Sequence, residues 1–303
     1  MRRGVAGAPT LTDALRARAI AAGSGAVHDT AVLAERSDGT VVRGGGVVLK
    51  AHAADSDREA LAQRVAVAAH SSLAGVLLPP LPYVSVLHGR PVTAWPYGEP
   101  VRRNTEPEAA PWEEAAVLLA RLHSTPPPHA LPPMRGPAKA ARAVARMRAA
   151  RPDAAVLDAW AGLPAWARDE APSPSHRQAL CHGDLHLGQL VRHPPPDGPW
   201  RLIDVDDLGM GNPAWDLARP AMWFAAGVLA PGVWCRFLGA YRAAGGPAVP
   251  GQGDPWPYLD VPARALAVQT AATAVAKSVA EGRVLDEMEQ AVHDACRRMA
   301  QVS

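Results

Sequence analysis

One stretch of the chain, "LCHGDLHLGQLVRHPPPDGPWRLIDVDDLG" at residues 180–209, sets acids and histidines in a frame of Leu, Val and Ile. Burying an unpaired polar group costs roughly several kcal/mol, so such groups need partners or a chemical task. The segment predicts a short apolar stretch that leads through a polar loop into a strand, then a proline turn and a second strand, "WRLIDVDD", that ends in acids. Because adjacent strands flank the turn, we expect Asp184 and Asp204 to lie near each other.

This arrangement of side chains matches what phosphoryl transfer from a nucleotide requires. Asp184 supplies a carboxylate that can accept the proton of a hydroxyl group, and Gln189 follows it in the same loop. The amide of Gln189 and the acid of Asp204 can together hold Mg²⁺ on the phosphates. The alternative is a structural one, in which Asp184 caps backbone amides of the loop.

Composition narrows the class of protein. The 303 residues allow one large two-lobed unit or two domains, and 31 basic against 29 acidic residues give no reason to expect a nucleic acid or an anionic membrane as partner. No stretch is long and apolar enough for a membrane span. Cys181, Cys235 and Cys296 are odd in number and far apart, which favours a reducing cytoplasm.

The first hundred residues are rich in strands. A helix is predicted from residue 11 to about Gly23, followed by strands at "TAVLAER", "TVVR" and "VVLKAH" with turn signals between them. A short helix comes next at "DSDREALAQRVAVAAH", with Asp55, Ser56 or Asp57 available as its N-cap, and two further strands flank the turn at residues 88–90. The expected structure is an antiparallel sheet with one helix inserted.

The remainder is mainly helical. Residues 111–124 predict a core helix, and two amphipathic helices are expected in the last 40 residues. The stretch from 135 to 151 carries Lys139, Arg142, Arg146 and Arg148 at roughly helical spacing, which indicates a solvated basic face rather than a phosphate site. The fold class is therefore α+β, with two lobes and a cleft between them.

The paired motifs "HGDLHLGQL" and "LIDVDDLGMGNPAWDLA" resemble those of the aminoglycoside phosphotransferase and choline kinase superfamily, whose fold is similar to that of protein kinases. The resemblance covers most of residues 28–225. It implies a small antiparallel-sheet N-lobe at residues 1–98 with a hinge at about 95–98, and a larger helical C-lobe at 99–303. Within the C-lobe it implies a catalytic loop at 181–191 and a metal-binding strand end at 202–209.

The resemblance also implies roles for the loop residues. Asp184 matches the catalytic base, while Gln189 and Asp204 match the metal ligands. Gln189 stands where the family usually has Asn, and Asn212 stands where it usually has Asp.

The expected nucleotide site lies in the first hundred residues. Lys50 in "VVLKAH" matches the lysine that contacts the nucleotide phosphates, and Glu59 is the available acid to pair with it. Trp95 and Tyr97 of "AWPYG" lie where such kinases bind adenine through backbone groups.

The expected function is an ATP- and Mg²⁺-dependent transfer of phosphate to a hydroxyl of an aminoglycoside, an amino sugar, an amino alcohol such as choline, or a related small metabolite. Two alternatives remain: a silent nucleotide-binding protein, and a metal-dependent hydrolase that uses His182, Asp184, His186 and Asp204 as ligands. We expect Asp216 to be a buried acceptor for amides of the catalytic loop. His182 is expected to brace that loop.

Overall fold

The computed structural model describes residues 9–22, 30–36, 39–102, 105–173 and 178–302. The chain divides into two compact units, one of residues 1–100 with 191–203 and one of residues 101–190 with 204–303. The predicted boundary near residue 98 placed 191–203 in the helical part. The structure assigns this segment to the first unit, because residues 191 and 192 pair with residues 99 and 100 and Leu202 forms a bridge with Leu77.

The first unit is built on an antiparallel sheet, as the alternation of apolar and polar residues predicts. The sheet has the strand order β1-β2-β3-β5-β4. Leu15 and Ala19 of the N-terminal helix are fully buried against it, together with Val42, Leu49 and Val92. The elements are α1 (Leu11–Ala22), β1 (Thr30–Arg36), β2 (Gly39–Gly44), β3 (Val47–His52), α2 (Arg58–Ala68), β4 (Val84–Leu87), β5 (Arg90–Pro96) and β6 (Glu99–Pro100).

Short sequence patterns determine where these elements begin and end. Asp57 caps α2, because its carboxylate accepts the backbone N–H groups of Glu59 and Ala60. The turn between β4 and β5 has His88 and Gly89 at positive φ, which reverses the chain tightly. The predicted meander, inserted helix and hairpin are all confirmed.

The second unit begins with three helices and a short strand. The core helix predicted at 111–124 is confirmed, and Trp112, Leu119 and Leu122 of that helix are buried. The basic stretch forms a helix that buries Ala140, Val144 and Met147. The elements are α3 (Trp112–Ser124), α4 (Gly136–Ala150), α5 (Ala154–Ala161) and β7 (Ala179–Cys181).

Three further short strands frame the motif region. β8 and β9 form the predicted hairpin, and β8 pairs with β6 to extend the first unit. β10 pairs with β7 in the second unit. These strands are β8 (Leu190–Arg192), β9 (Trp200–Leu202) and β10 (Gly209–Gly211).

The chain ends in four helices. The longest, α8, is a central packing element whose small residues, such as Ala267, Ala271 and Ala274, are buried. Within the described residues no helix combines the length and the apolarity needed to cross a membrane. The helices are α6 (Ala214–Ala225), α7 (Pro231–Ala243), α8 (Trp256–Glu281) and α9 (Glu287–Val302).

Candidate active site

The loop between β7 and β8 is held by a carboxylate from α6. Asp216, which is 1% exposed, accepts the backbone N–H groups of His182 at 2.6 Å and Gly183 at 2.7 Å. Such charge-assisted bonds are among the stronger hydrogen bonds in proteins. The expectation that Asp216 is a buried acceptor for loop amides is confirmed.

A buried chain of hydrogen bonds supports Asp216 from behind. Its carboxylate contacts Nε2 of His123 at 2.9 Å, and Nδ1 of His123 contacts the hydroxyl of Tyr241 at 2.8 Å. The same hydroxyl accepts the backbone N–H of Ala248 at 3.0 Å. Because an ionised carboxylate can only accept hydrogen bonds, Nε2 of His123 donates to Asp216.

These contacts keep Asp216 ionised. Burial alone would raise the pKa of its carboxyl, but the hydrogen bond from His123, the nearby histidines and the amide of Gly183 outweigh burial and lower the pKa. Burial together with the negative charge of Asp216 raises the pKa of Cys181, which is consistent with a packing role for this thiol.

Asp184 is held at both carboxylate oxygens by cations. Nη2 of Arg219 donates to Oδ1 at 2.7 Å, and Nζ of Lys139 lies 2.8 Å from Oδ2. Arg219 also donates from Nε to the backbone carbonyl of Leu185 at 2.9 Å. One guanidinium thus fixes both the carboxylate of Asp184 and the backbone beside it.

The same cations control the charge of Asp184. Burial would raise the pKa of its carboxyl, but Lys139 and Arg219 outweigh this effect and lower the pKa. The pKa of Lys139 is raised, because the attraction of Asp207 and Asp184 exceeds the effect of burial. Asp184 is therefore a carboxylate and Lys139 an ammonium at neutral pH.

Lys139 also binds a second carboxylate. Its Nζ lies 2.7 Å from Oδ2 of Asp207, and Nε of Arg135 lies 3.6 Å from Oδ1 of the same residue. The prediction of a solvated basic face is correct for Arg146 and its exposed neighbours on α4. It is wrong for Lys139, because the start of α4 packs beside the loops that carry Asp184 and Asp207.

The predicted metal ligands are neighbours in the second unit. Nε2 of Gln189 lies 3.5 Å from Oδ2 of Asp204, and Asp204 has a φ of 66°, which directs its side chain out of the usual strand geometry. An amide and a carboxylate both offer oxygen ligands, which Mg²⁺ prefers. These residues therefore fit the predicted magnesium site.

In the hydrolase alternative, His182 and His186 would be metal ligands. The Nδ1 atom of each imidazole already contacts a backbone N–H of the same loop. Nδ1 of His186 accepts the N–H of Gly188 at 3.0 Å, and Nδ1 of His182 is 3.4 Å from the N–H of Asp184. Burial and the charge of Arg219 lower the pKa of His186 to about 4, so this imidazole is neutral.

In the part of the chain that the structure describes, a different trio lies close enough to share a metal ion: His123, Cys181 and Asp216. Two of these three are already engaged in the hydrogen bonds that hold the catalytic loop.

In the first unit, Lys50 lies on β3 opposite Thr93 of β5 and is half-buried. Glu59 is exposed in the first turn of α2, where its backbone N–H binds Asp57. The buried charged residue of α2 is Arg64. A pair between Lys50 and Glu59 stays a prediction.

The hinge segment is tightly bonded within the first unit. Trp95 is 8% exposed and donates from Nε1 to the hydroxyl of Thr93 at 3.0 Å. The backbone N–H of Tyr97 binds the carbonyl of Gly46 at 2.8 Å, and its own carbonyl accepts Nδ1 of His193 at 3.0 Å. Both backbone groups of Tyr97 are thus used by the protein itself, and adenine recognition here stays a prediction.

Three residues of the second-unit site were not assigned a role from the sequence: Lys139, Arg219 and His123. Arg219 follows Asp216 by one helical turn, which places both residues on one face of α6. This spacing can be recognised from the sequence alone. His123 interrupts the apolar face of α3, and a lone histidine of this kind usually has a buried partner. The residues next to Lys139 in the sequence gave no indication of its contacts with Asp184 and Asp207.

Comparison with known proteins agrees with the fold and the motifs. A sequence model of the phosphotransferase enzyme family matches residues 28–260. The chain belongs to this family.

Individual relatives are distant. An N-acetylmuramate/N-acetylglucosamine kinase of Caulobacter vibrioides is 35% identical over 68 residues, which are 22% of this chain and 18% of that kinase. A choline kinase of Streptococcus pneumoniae has a similar fold, with a TM-score of 0.59 at 12% identity over 90% of this chain and 93% of that one. A spectinomycin phosphotransferase in complex with ADP and spectinomycin has a TM-score of 0.56 at 11% identity over 97% and 95%.

Proposed function

We propose that this phosphotransferase transfers the γ-phosphate of ATP to a hydroxyl of a small sugar, in particular an amino sugar, and that Asp184 binds that hydroxyl. The observation that carries the proposal is the ionised Asp184 carboxylate, clamped between Lys139 and Arg219 in the same loop as Gln189. A carboxylate fixed in this way can orient an attacking oxygen, and orientation supplies much of the rate of phosphoryl transfer.

The low pKa of Asp184 defines its chemical role. A carboxylate stabilised by two cations is a weak base, so it accepts a hydrogen bond from the substrate hydroxyl and takes the proton as the new P–O bond forms. Each carboxylate oxygen offers two lone-pair sites, and the cations contact one oxygen each. Sites therefore remain for the hydroxyl, in directions set by the two cations.

The cofactors follow from the residues present. Gln189 and Asp204 would hold Mg²⁺, which supplies charge neutralisation on the nucleotide phosphates. Lys50 is the proposed contact for those phosphates from the first unit. ADP bound to the spectinomycin phosphotransferase supports an adenine nucleotide as donor here.

Two observations favour a sugar without several positive charges as the acceptor. Lys139, Arg219 and Arg135 lie around Asp184 and Asp207, so an acceptor with many ammonium groups would meet like charges. The relative from Caulobacter vibrioides is a kinase for N-acetylated amino sugars, and its identity of 35% supports the same acceptor class.

The test is a measurement of ADP formation with Mg²⁺ and ATP across N-acetylglucosamine, N-acetylmuramate, glucosamine, choline and kanamycin. We expect turnover with an N-acetylated sugar and little with kanamycin. Asp184→Asn should lower kcat by about 10² or more and leave nucleotide affinity within a few fold. Asp158→Asn, which changes an exposed aspartate of α5, is the matched control and should be neutral.

The outcomes separate the candidates. Turnover of kanamycin alone would overturn the sugar assignment, and equal activity of Asp184→Asn and wild type would overturn the role of Asp184. No ATP consumption with any acceptor of the panel in the presence of Mg²⁺ would favour the silent nucleotide-binding alternative.

A further inference from the structure

Lys139 binds a carboxylate on each of the two motif loops of the second unit. Its Nζ is 2.8 Å from Asp184 of the catalytic loop and 2.7 Å from Asp207, which lies three residues after the proposed metal ligand Asp204. The side chain of Lys139 is 25% exposed, and those of Asp184 and Asp207 are 23% and 12% exposed. Ion pairs this shielded from water are screened less than surface pairs.

The two loops are also packed directly against each other. Gly183 precedes Asp184, and a Cβ atom on Gly183 would come within 2.4 Å of the backbone carbonyl of Asp207. That carbonyl accepts the backbone N–H of Arg135 at 3.4 Å, immediately before α4 begins. Lys139 therefore extends from the first turns of α4 across a junction where both loops already touch.

We propose that Lys139 is a positioning residue that aligns the carboxylate of Asp184 by anchoring it to Asp207. This inference rests on the proposed function, because it assigns Lys139 to the residue that binds the acceptor hydroxyl. Asp207 would hold the ammonium in place, and the ammonium would fix Oδ2 of Asp184. Arg219 would fix Oδ1 independently from α6.

Lys139 and Arg219 connect Asp184 to different parts of the fold. Arg219 ties Asp184 to α6 and to the backbone of its own loop. Lys139 ties Asp184 to the loop that continues from Asp204, so it couples the acceptor-binding carboxylate to the segment that would hold the metal. The charged and titratable groups that face Asp184 are Lys139 from α4, Arg219 from α6, His182 and His186 from its own loop, and Asp207.

The experiment compares four variants with an identified acceptor: Lys139→Met, Lys139→Arg, Asp207→Asn and Arg146→Met. Arg146→Met makes a comparable change on the exposed face of the same helix. We expect Lys139→Met to lower kcat by up to about 100-fold with KM for ATP within a few fold. Lys139→Arg should recover a large part of kcat, Asp207→Asn should lower kcat in the same direction as Lys139→Met, and Arg146→Met should be neutral.

The pH profile separates positioning from a merely structural role. Loss of the ammonium should raise the pKa of Asp184, so the acid limb of kcat should move to higher pH by at least about one unit in Lys139→Met. A variant that is only less stable would lose active fraction with its acid limb unchanged. The proposal is overturned if the acid limb of kcat in Lys139→Met stays at the wild-type pH, or if Asp207→Asn has no effect on kcat.

A second readout does not depend on turnover. The side-chain carboxyl carbon of Asp184, assigned in ¹³C spectra by its loss in Asp184→Asn, should titrate at higher pH in Lys139→Met and not in Arg146→Met. If Lys139→Met shows this shift relative to the wild-type protein, but the wild-type protein phosphorylates nothing, the anchoring role is supported and the proposed function is wrong. If the wild-type protein is an active kinase, but Asp184 titrates at the same pH in Lys139→Met as in wild type, the anchoring role is wrong and the proposed function is retained.

Discussion

Asp216 and Arg219 lie one turn apart on α6 and hold consecutive parts of the catalytic loop. Asp216 accepts the backbone N–H groups of His182 and Gly183, and Arg219 donates to the carbonyl of Leu185 and to the carboxylate of Asp184. A single helix thus positions both the backbone of this loop and the carboxylate of Asp184. This relationship makes α6 the frame of the candidate active site.

Replacement of Arg219 by Lys should be costly even though it keeps the charge. The guanidinium uses Nε and Nη2 for two different acceptors, and an ammonium on a flexible stem cannot reproduce that fork. We expect kcat to fall by about 10-fold or more, with a smaller effect on KM for ATP. Steady-state kinetics check this, and Arg297→Lys on exposed α9 is the neutral control. Equal kinetics for both variants would mean that charge alone suffices at Arg219.

Asp216→Asn should destabilise the protein as well as the loop. The amide would turn a donor toward N–H groups that need acceptors, and loss of the buried partner of His123 should lower the free energy of unfolding by about 3 kcal/mol. Urea denaturation at neutral pH measures this difference.

The difference should also depend on pH. Because the pKa of Asp216 is lowered by folding, its contribution is present above the unfolded pKa of about 3.9 and is lost as pH falls through the folded pKa. The gap between wild type and Asp216→Asn should therefore narrow below about pH 4. Equal free energies of unfolding for the two proteins at pH 7, or a difference that increases at lower pH, would contradict this prediction.

Local patterns predicted the elements and the motif residues, but not the partners that complete the site. The strand alternation around Lys50, the cap at Asp57 and the turn at Gly89 act within a few residues, so the sequence reveals them. Lys139 and Asp207 are separated by 68 residues, and His123 and Asp216 by 93. Contacts over such separations depend on how helices pack, and a basic stretch such as that of α4 resembles a solvated face until its packing is known.

Gly183→Ala should damage both stability and activity. Gly183 has a φ of 84°, which favours glycine, and an added Cβ would lie 2.4 Å from the carbonyl of Asp207. We expect a loss of at least about 2 kcal/mol in the free energy of unfolding, since the strained φ and the clash add. Gly232→Ala in α7, where nothing lies within 4 Å of an added Cβ, is the control and should be neutral or stabilising. Comparable denaturation curves for the two variants would show that the loop relaxes freely.

The last prediction concerns Gln189, which stands where the family usually has Asn. Gln189 closes a short 3-10 turn and is 8% exposed, and its amide nitrogen lies 3.5 Å from Oδ2 of Asp204. The longer side chain thus reaches the second proposed ligand directly, which supports a loop built around glutamine. Shortening the side chain by one methylene would withdraw the amide by about 1.5 Å, whereas Mg²⁺ requires ligand distances of about 2.0–2.1 Å.

Gln189→Asn should therefore lower kcat and shift the midpoint of Mg²⁺ activation to higher concentration, although it restores the residue usual in the family. The change removes no charge, so the attraction of Asp204 for the metal is retained and only the geometry of the neutral ligand is altered. A titration of activity against Mg²⁺ at saturating ATP measures both effects, with Gln290→Asn on α9 as a matched glutamine control. A midpoint shifted to lower Mg²⁺ would mean that a water bridges Gln189 to the metal in the wild-type protein. A variant with unchanged midpoint and kcat would place Gln189 outside the metal site, and the second ligand beside Asp204 would then have to come from another residue.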